Sequence, residues 1–166
     1  MPHEHGARPA VLLAAAALLV ACSSGVESPP SVPTPPPPPA ACLLDVDALA
    51  AATGLTWTPD AATVGDVRCV YDARQGDPLA FLAVELAPPV SAAGLEEVAA
   101  ACTDGSRTTV AAGRGAFVCM LPAGSILGAV AADDHLITVA ASEVPAGTSA
   151  ERLTAALSAQ LQRIAP

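Results

Sequence analysis

The chain has 166 residues, 52% of them hydrophobic, and a formal net charge of -9, with 16 Asp and Glu against 7 basic residues that are all arginine. That length suits one ordinary domain, and an acidic chain with no basic stripe repels phosphate backbones, so nucleic acid is excluded as a partner. Most of the hydrophobic fraction is alanine, and Trp57, Tyr71, Phe81 and Phe117 are the only aromatic residues, so covalent staples would help a core that buries little area per residue.

Residues Val11 to Val20 form an apolar run behind a short head containing His3, His5 and Arg8. A membrane-spanning helix needs about 20 apolar residues, so the run fits the hydrophobic region of a signal peptide instead. It ends at Leu19-Val20-Ala21-Cys22 followed by Ser23-Ser24-Gly25, which resembles the lipobox of bacterial lipoproteins. That resemblance implies a signal peptide over residues 1–21, cleavage before Cys22, and diacylglycerol on the Cys22 sulfur with a further palmitate-type acyl chain. Two or three chains, at about 0.8 kcal/mol per buried methylene, hold a protein at a bilayer. Residues 22–41 then form a tether: Pro29, Pro30, Pro33 and Pro35 to Pro39 favour an extended polyproline helix reaching on the order of 50 Å.

Residues 42–166 are expected to fold outside the membrane. Asp45 is placed to cap a helix over Val46 to Thr53, with Leu44 and Leu49 as its hydrophobic staple and Gly54 at its end. A weak strand near Leu55 to Thr58 is followed by strands at Val67 to Asp72 and Leu79 to Leu86, with a turn at Gly76-Asp77-Pro78. A helix over Ser91 to Cys102 follows Pro88-Pro89, with Leu95, Val98 and Cys102 on one side. Strands at Gly115 to Leu121, Ser125 to Ala132 and His135 to Ala141 are separated by turns at Pro122-Ala123-Gly124 and Asp133-Asp134. The last helix starts with a capping box, Thr148-Ser149-Ala150-Glu151, and carries Leu153, Leu157, Leu161 and Ile164 on one face. The order α-β-β-β-α-β-β-β-α indicates an α+β fold, an antiparallel sheet with flanking helices. Phe81 and Ala83 alternate with Leu82 and Val84, and Phe117, Cys119 and Leu121 alternate with Val118 and Met120, so both strand faces are apolar. Helices on the two sides explain this; an apolar cleft for a lipid-like ligand is the sharper alternative.

Cleavage at Cys22 leaves Cys42, Cys69, Cys102 and Cys119, and an even set in an oxidising compartment implies two disulfides. Of the three possible pairings, Cys42 with Cys69 and Cys102 with Cys119 each tie a helix end to a strand within one α-β-β-β half. No metal and no cofactor are expected, since no Cys-x-x-Cys pair occurs. Catalytic chemistry finds few candidates. Only His135 survives maturation, beside Asp133-Asp134 in a turn; there is no Gly-x-Ser-x-Gly elbow and no lysine for Ser/Lys or Schiff-base chemistry. Glu96 and Glu97 diverge by about 100° as helix neighbours and read as surface. Gly113-Arg114-Gly115 reads as a tight turn, with a phosphate or carboxylate site as the alternative.

Cys42-Leu43-Leu44, Gly54, Cys69-Val70-Tyr71, Gly113-Arg114-Gly115-Ala116-Phe117 and the Thr148 to Ile164 helix, together with the lipobox and Pro-rich tether, resemble a group of actinobacterial lipoproteins. These are built around a disulfide-bonded domain of unknown function. The resemblance implies a compact α+β domain and carries over no catalytic residues. The function expected is therefore a non-enzymatic binding or interaction module on the extracytoplasmic face of the cell membrane. Its partner would be an envelope protein, a peptide or a cell-wall component. A carrier or sensor of an apolar ligand is the alternative, and an enzyme of unrecognised type is a third.

Overall fold

The Asp45 side chain accepts from the Ala48 amide at 2.9 Å and so starts helix α1 (Val46–Thr53). Gly54 ends it in the left-handed region, φ 78°, with its N–H on Ala50 O at 2.8 Å. Leu44 and Leu49 are buried in one cluster, as a hydrophobic staple requires. Residues 41–74 and 80–166 are described by the structure, a computed structural model. The signal peptide, Cys22, nearly all of the tether, and the turn at Gly76-Asp77-Pro78 with Leu79 lie outside the described residues.

After α1 the chain forms β1 (Trp57–Pro59), β2 (Arg68–Ala73) and β3 (Phe81–Ala87), an antiparallel meander. Helix α2 (Ala92–Ala99) carries it to the far edge, where β4 (Thr108–Val110), β5 (Ala116–Met120), β6 (Ile126–Ala131) and β7 (Leu136–Ala141) meander back to the middle. Helix α3 (Ala150–Ile164) closes the fold. The two meanders join through an antiparallel β3–β7 pair, giving one seven-stranded sheet in the order β1-β2-β3-β7-β6-β5-β4. The fold is thus α+β, an antiparallel sheet with flanking helices, and the expected elements occur in the expected order.

Three details depart from the sequence reading. The additional edge strand β4 covers three residues, too short for any period-2 pattern to declare itself. Helix α2 stops at Ala99 rather than Cys102, because Ala100 to Thr103 turn away and the Thr103 amide donates to Met120 O at 2.8 Å. The cap of α3 is Ser149, not Thr148: the Ser149 hydroxyl accepts from the Arg152 amide at 3.2 Å, while the Thr148 hydroxyl is buried without a partner among the described residues.

The register sorts side chains onto two faces. Tyr71, Leu82, Val84, Val118, Ile126, Val130 and Val139 join the buried leucines of α1 and α3 in the larger core cluster. Gly128 lets α3 approach this face, since a Cβ there would lie 3.3 Å from Leu161 Cδ1. On the other face Phe117, Cys119, Ala129, Ala131 and Leu136 meet Leu95 and Ala99 of α2 in a second cluster. The doubly apolar character of β5 therefore follows from helices on both sides of it.

Thr53 and Gln160, polar side chains buried in the core, are both hydrogen-bonded, Thr53 Oγ1 donating to Leu49 O at 2.8 Å. Gln160, 2% exposed, accepts from the Asp45 amide at 2.9 Å and donates to Asp45 O at 3.0 Å, which locks the start of α1 onto α3. Arg163 adds an ion pair to the same Asp45 carboxylate at 2.8 Å. The Leu44 amide donates to the Tyr71 hydroxyl at 3.1 Å. Burial pushes the Tyr71 phenol above its ordinary pKa, and that hydrogen bond opposes the shift. Trp57 donates its indole N–H to Thr53 Oγ1 at 3.0 Å.

Candidate functional site

Ser91 caps α2 by accepting from the Gly94 amide at 3.3 Å, so Leu95 points inward, one turn into the helix, and Glu96 outward beside it. Leu95 is 6% exposed and packs on the second apolar cluster. Between this side of α2 and the strands lies a cleft of about 370 Å³, within the range of small-ligand sites. Its apolar lining comes from Val90, Leu95, Ala116 and Ala131, and its charged lining from Glu96, Arg107 and Arg114.

Arg107, just before β4, reaches across to Glu96 in a two-pronged ion pair, with N to O distances of 2.6 and 2.8 Å. Its guanidinium also lies 4.9 Å from the centre of the Phe117 ring. The Arg107 hydrogen bonds hold the Glu96 carboxyl below its ordinary pKa, and Glu96 in turn raises that of Arg107. Both groups are solvent-exposed in part, so the pair positions side chains more than it stabilises the fold.

Arg114 enters from the turn before β5. Its Nη2 donates to Ala132 O at 2.8 Å and to Val90 O at 3.4 Å, its Nε to Ala132 O at 3.3 Å, and Asp133 stands 3.9 Å from Nε. Its Nη1 has no hydrogen-bond partner among the described residues. The backbone of Gly113-Arg114-Gly115 is committed elsewhere: the Gly113 amide donates to Ala165 O at 2.7 Å and the Arg114 amide to Ala131 O at 2.9 Å. Gly113 has φ 50°, and a Cβ there would sit 2.7 Å from Ala131 O, so glycine is required for close passage of the chain. The motif is a tight turn in which the Gly113 and Arg114 amides are engaged and the arginine side chain lines the cleft.

The four cysteines of the domain are joined in the expected pairs. Cys42 bonds Cys69 with Cα atoms 5.1 Å apart, and Cys102 bonds Cys119 at 5.7 Å. The first fixes the start of the domain to β2; the second fixes the end of α2 to β5, beneath the cleft's helix. His135 and Asp134 sit together in the β6–β7 connection, 3.1 Å apart and exposed, and this contact lowers the Asp134 carboxyl. Glu97 is exposed beside Glu96 and does not share its arginine. Among the described residues no three or more His, Cys, Asp or Glu side chains gather closely enough to hold a metal, and no helix is long and apolar enough to cross a membrane.

Sequence reasoning missed Arg107 and the cleft itself. The Arg107–Glu96 pair spans 11 residues and depends on β4, the strand that escaped notice. The single signal available was an arginine leading into the β-prone Thr108-Thr109-Val110. Set against family models, curated proteins and solved structures, the chain matches none.

Proposed function

We propose that the chain is a membrane-anchored cell-envelope lipoprotein whose acidic α+β domain acts as a non-enzymatic binding or interaction module, like the actinobacterial lipoproteins it resembles. Lipid on Cys22 would hold it on the extracytoplasmic face, and the prolines between residues 29 and 39 would stand the domain off the bilayer. The observation that carries the binding reading is the cleft beside α2. An apolar floor and partly accessible guanidinium groups occur together there, and the Cys102–Cys119 bond fixes the helix that walls it. A rigid recess with a few convergent polar groups is the usual form of a binding site.

A photo-crosslinking residue at Ala92, on the cleft rim, tests this in living cells. Val67 serves as the control because it is 65% exposed and lies outside the cleft lining. A discrete adduct from Ala92 and none from Val67 is expected. Identical patterns from both positions, or no adduct from Ala92, would contradict the assignment of binding to this cleft.

A further inference from the structure

We infer that residues 88–102, with α2 at their centre, form a hinged flap latched by the Cys102–Cys119 disulfide, and that a dithiol opens the latch and uncovers the apolar sheet face around Phe117. This goes beyond the binding-module reading and does not depend on what the cleft holds. The flap is tied at its two ends. Ala87 closes β3 opposite Leu136, and Pro88 and Pro89 then lack the N–H groups that a ladder needs. At the other end the Thr103 amide donates to Met120 O at 2.8 Å, and the Ser106 hydroxyl donates to Met120 O and accepts from the Met120 amide, both at 3.1 Å.

Between those ends little besides the disulfide holds the flap down. Among the described residues no backbone N–H of residues 88–102 donates outside that stretch, and Val90 O accepts only from the Arg114 side chain, at 3.4 Å. Helix α2 has 8 residues, fewer than the roughly 12–15 at which a helix is marginal on its own in water. It buries Leu95 and Ala99 in the second apolar cluster, and its Glu96–Arg107 pair is partly exposed and so adds little. The other disulfide joins parts that are already held. Cys69 lies in the larger cluster, where Leu49 of α1 and Leu153, Leu157 and Leu161 of α3 are buried, and Gln160 bonds both backbone groups of Asp45.

The two bonds also differ in their surroundings. Cys102 is half-buried and stands between exposed Ala101 and Thr103, whereas Cys42 is half-buried between buried Ala41 and half-buried Leu43. Their partners Cys119 and Cys69 are both buried. The thiolate of a dithiol therefore reaches the Cys102 sulfur first. It forms a mixed disulfide there while the Cys102–Cys119 bond breaks, and Cys119 leaves as a thiolate that takes up a proton. The dithiol's second thiol then displaces Cys102, so two electrons and two protons pass to the cysteines and the dithiol becomes a cyclic disulfide. The released flap swings about Pro88-Pro89 and Thr103, and Phe117, Ala129, Ala131 and Leu136 lose the cover of Leu95 and Ala99.

Two measurements on the full chain, purified in detergent, test this. In the first, the native protein is exposed to dithiothreitol for increasing times, quenched in acid, unfolded and alkylated, and the modified cysteines are mapped. Cys102 and Cys119 should become free at least tenfold faster than Cys42 and Cys69. In the second, amide hydrogen exchange compares the Cys102→Ala/Cys119→Ala and Cys42→Ala/Cys69→Ala variants with the parent. In the first variant, protection across α2 should fall by a factor at least ten times larger than in β3 and β7. In the second it should fall in step with them. Opening of Cys42–Cys69 at the same rate or faster, equal losses in α2 and the sheet of the first variant, no protected amides anywhere in that variant, or a selective loss of α2 in the second would each overturn the flap.

Discussion

Reduction of both disulfides is expected to cost the folded domain about 6–7 kcal/mol. The Cys42–Cys69 bond closes a loop of 27 residues and Cys102–Cys119 one of 17. In the chain-entropy account these are worth about 3.5 and 3 kcal/mol, by restricting the unfolded chain. Domains of this size have total stabilities of about 5–15 kcal/mol, so the reduced protein should sit near or below its folding threshold. The core makes this plausible on other grounds, since many of its buried positions are alanine and each contributes little apolar area. Urea midpoints of the oxidised protein and of Cys42→Ala/Cys69→Ala and Cys102→Ala/Cys119→Ala double variants check the prediction. Each double variant should lose about 3 kcal/mol, and a loss under about 1 kcal/mol from either would contradict it.

Phe117→Ala should be the most damaging single change on the cleft side of the sheet, costing about 3–5 kcal/mol. Phe117 is completely buried, anchors the cluster beneath α2 and supports the Arg107 guanidinium 4.9 Å above its ring. Removing the ring leaves a void that the neighbouring Ala129 and Ala131 are too small to fill. Arg107→Gln, by contrast, removes a partly exposed ion pair and should leave the midpoint nearly unchanged. Urea denaturation of the two variants separates them. Comparable losses from both would mean that the surface pair, not the ring, holds this layer together.

The parts of the fold that were legible in the sequence have local causes. Asp45, Gly54 and the Leu44/Leu49 pair announce α1 because caps and staples act within a few residues. The antiparallel meanders follow from short turns between apolar runs, and the disulfide pairing follows from keeping each helix-end cysteine with the strand cysteine of its own α-β-β-β half. The cap of α3 was misplaced by one residue because Thr148 and Ser149 are both competent. What decides between them is the turn before the helix, where the Thr148 amide is drawn to Pro145 O at 3.3 Å.

The cleft was illegible because its parts are distant in sequence. Val90, Leu95, Arg107, Arg114 and Ala131 come together only when α2 crosses from β3 to the far edge of the sheet. Gly113-Arg114-Gly115 is the tight turn its glycines predict: the Gly113 and Arg114 amides bond Ala165 O and Ala131 O, and the arginine side chain reaches the recess.

The anchor decides whether this domain works at a membrane surface, so the most direct measurement is mass spectrometry of the N-terminal peptide of the protein isolated from its own envelope. The account predicts a chain that begins at Cys22, lacks residues 1–21 and carries diacylglycerol on the Cys22 sulfur. An unmodified Cys22 thiol, or a chain that still carries its first 21 residues, would contradict it.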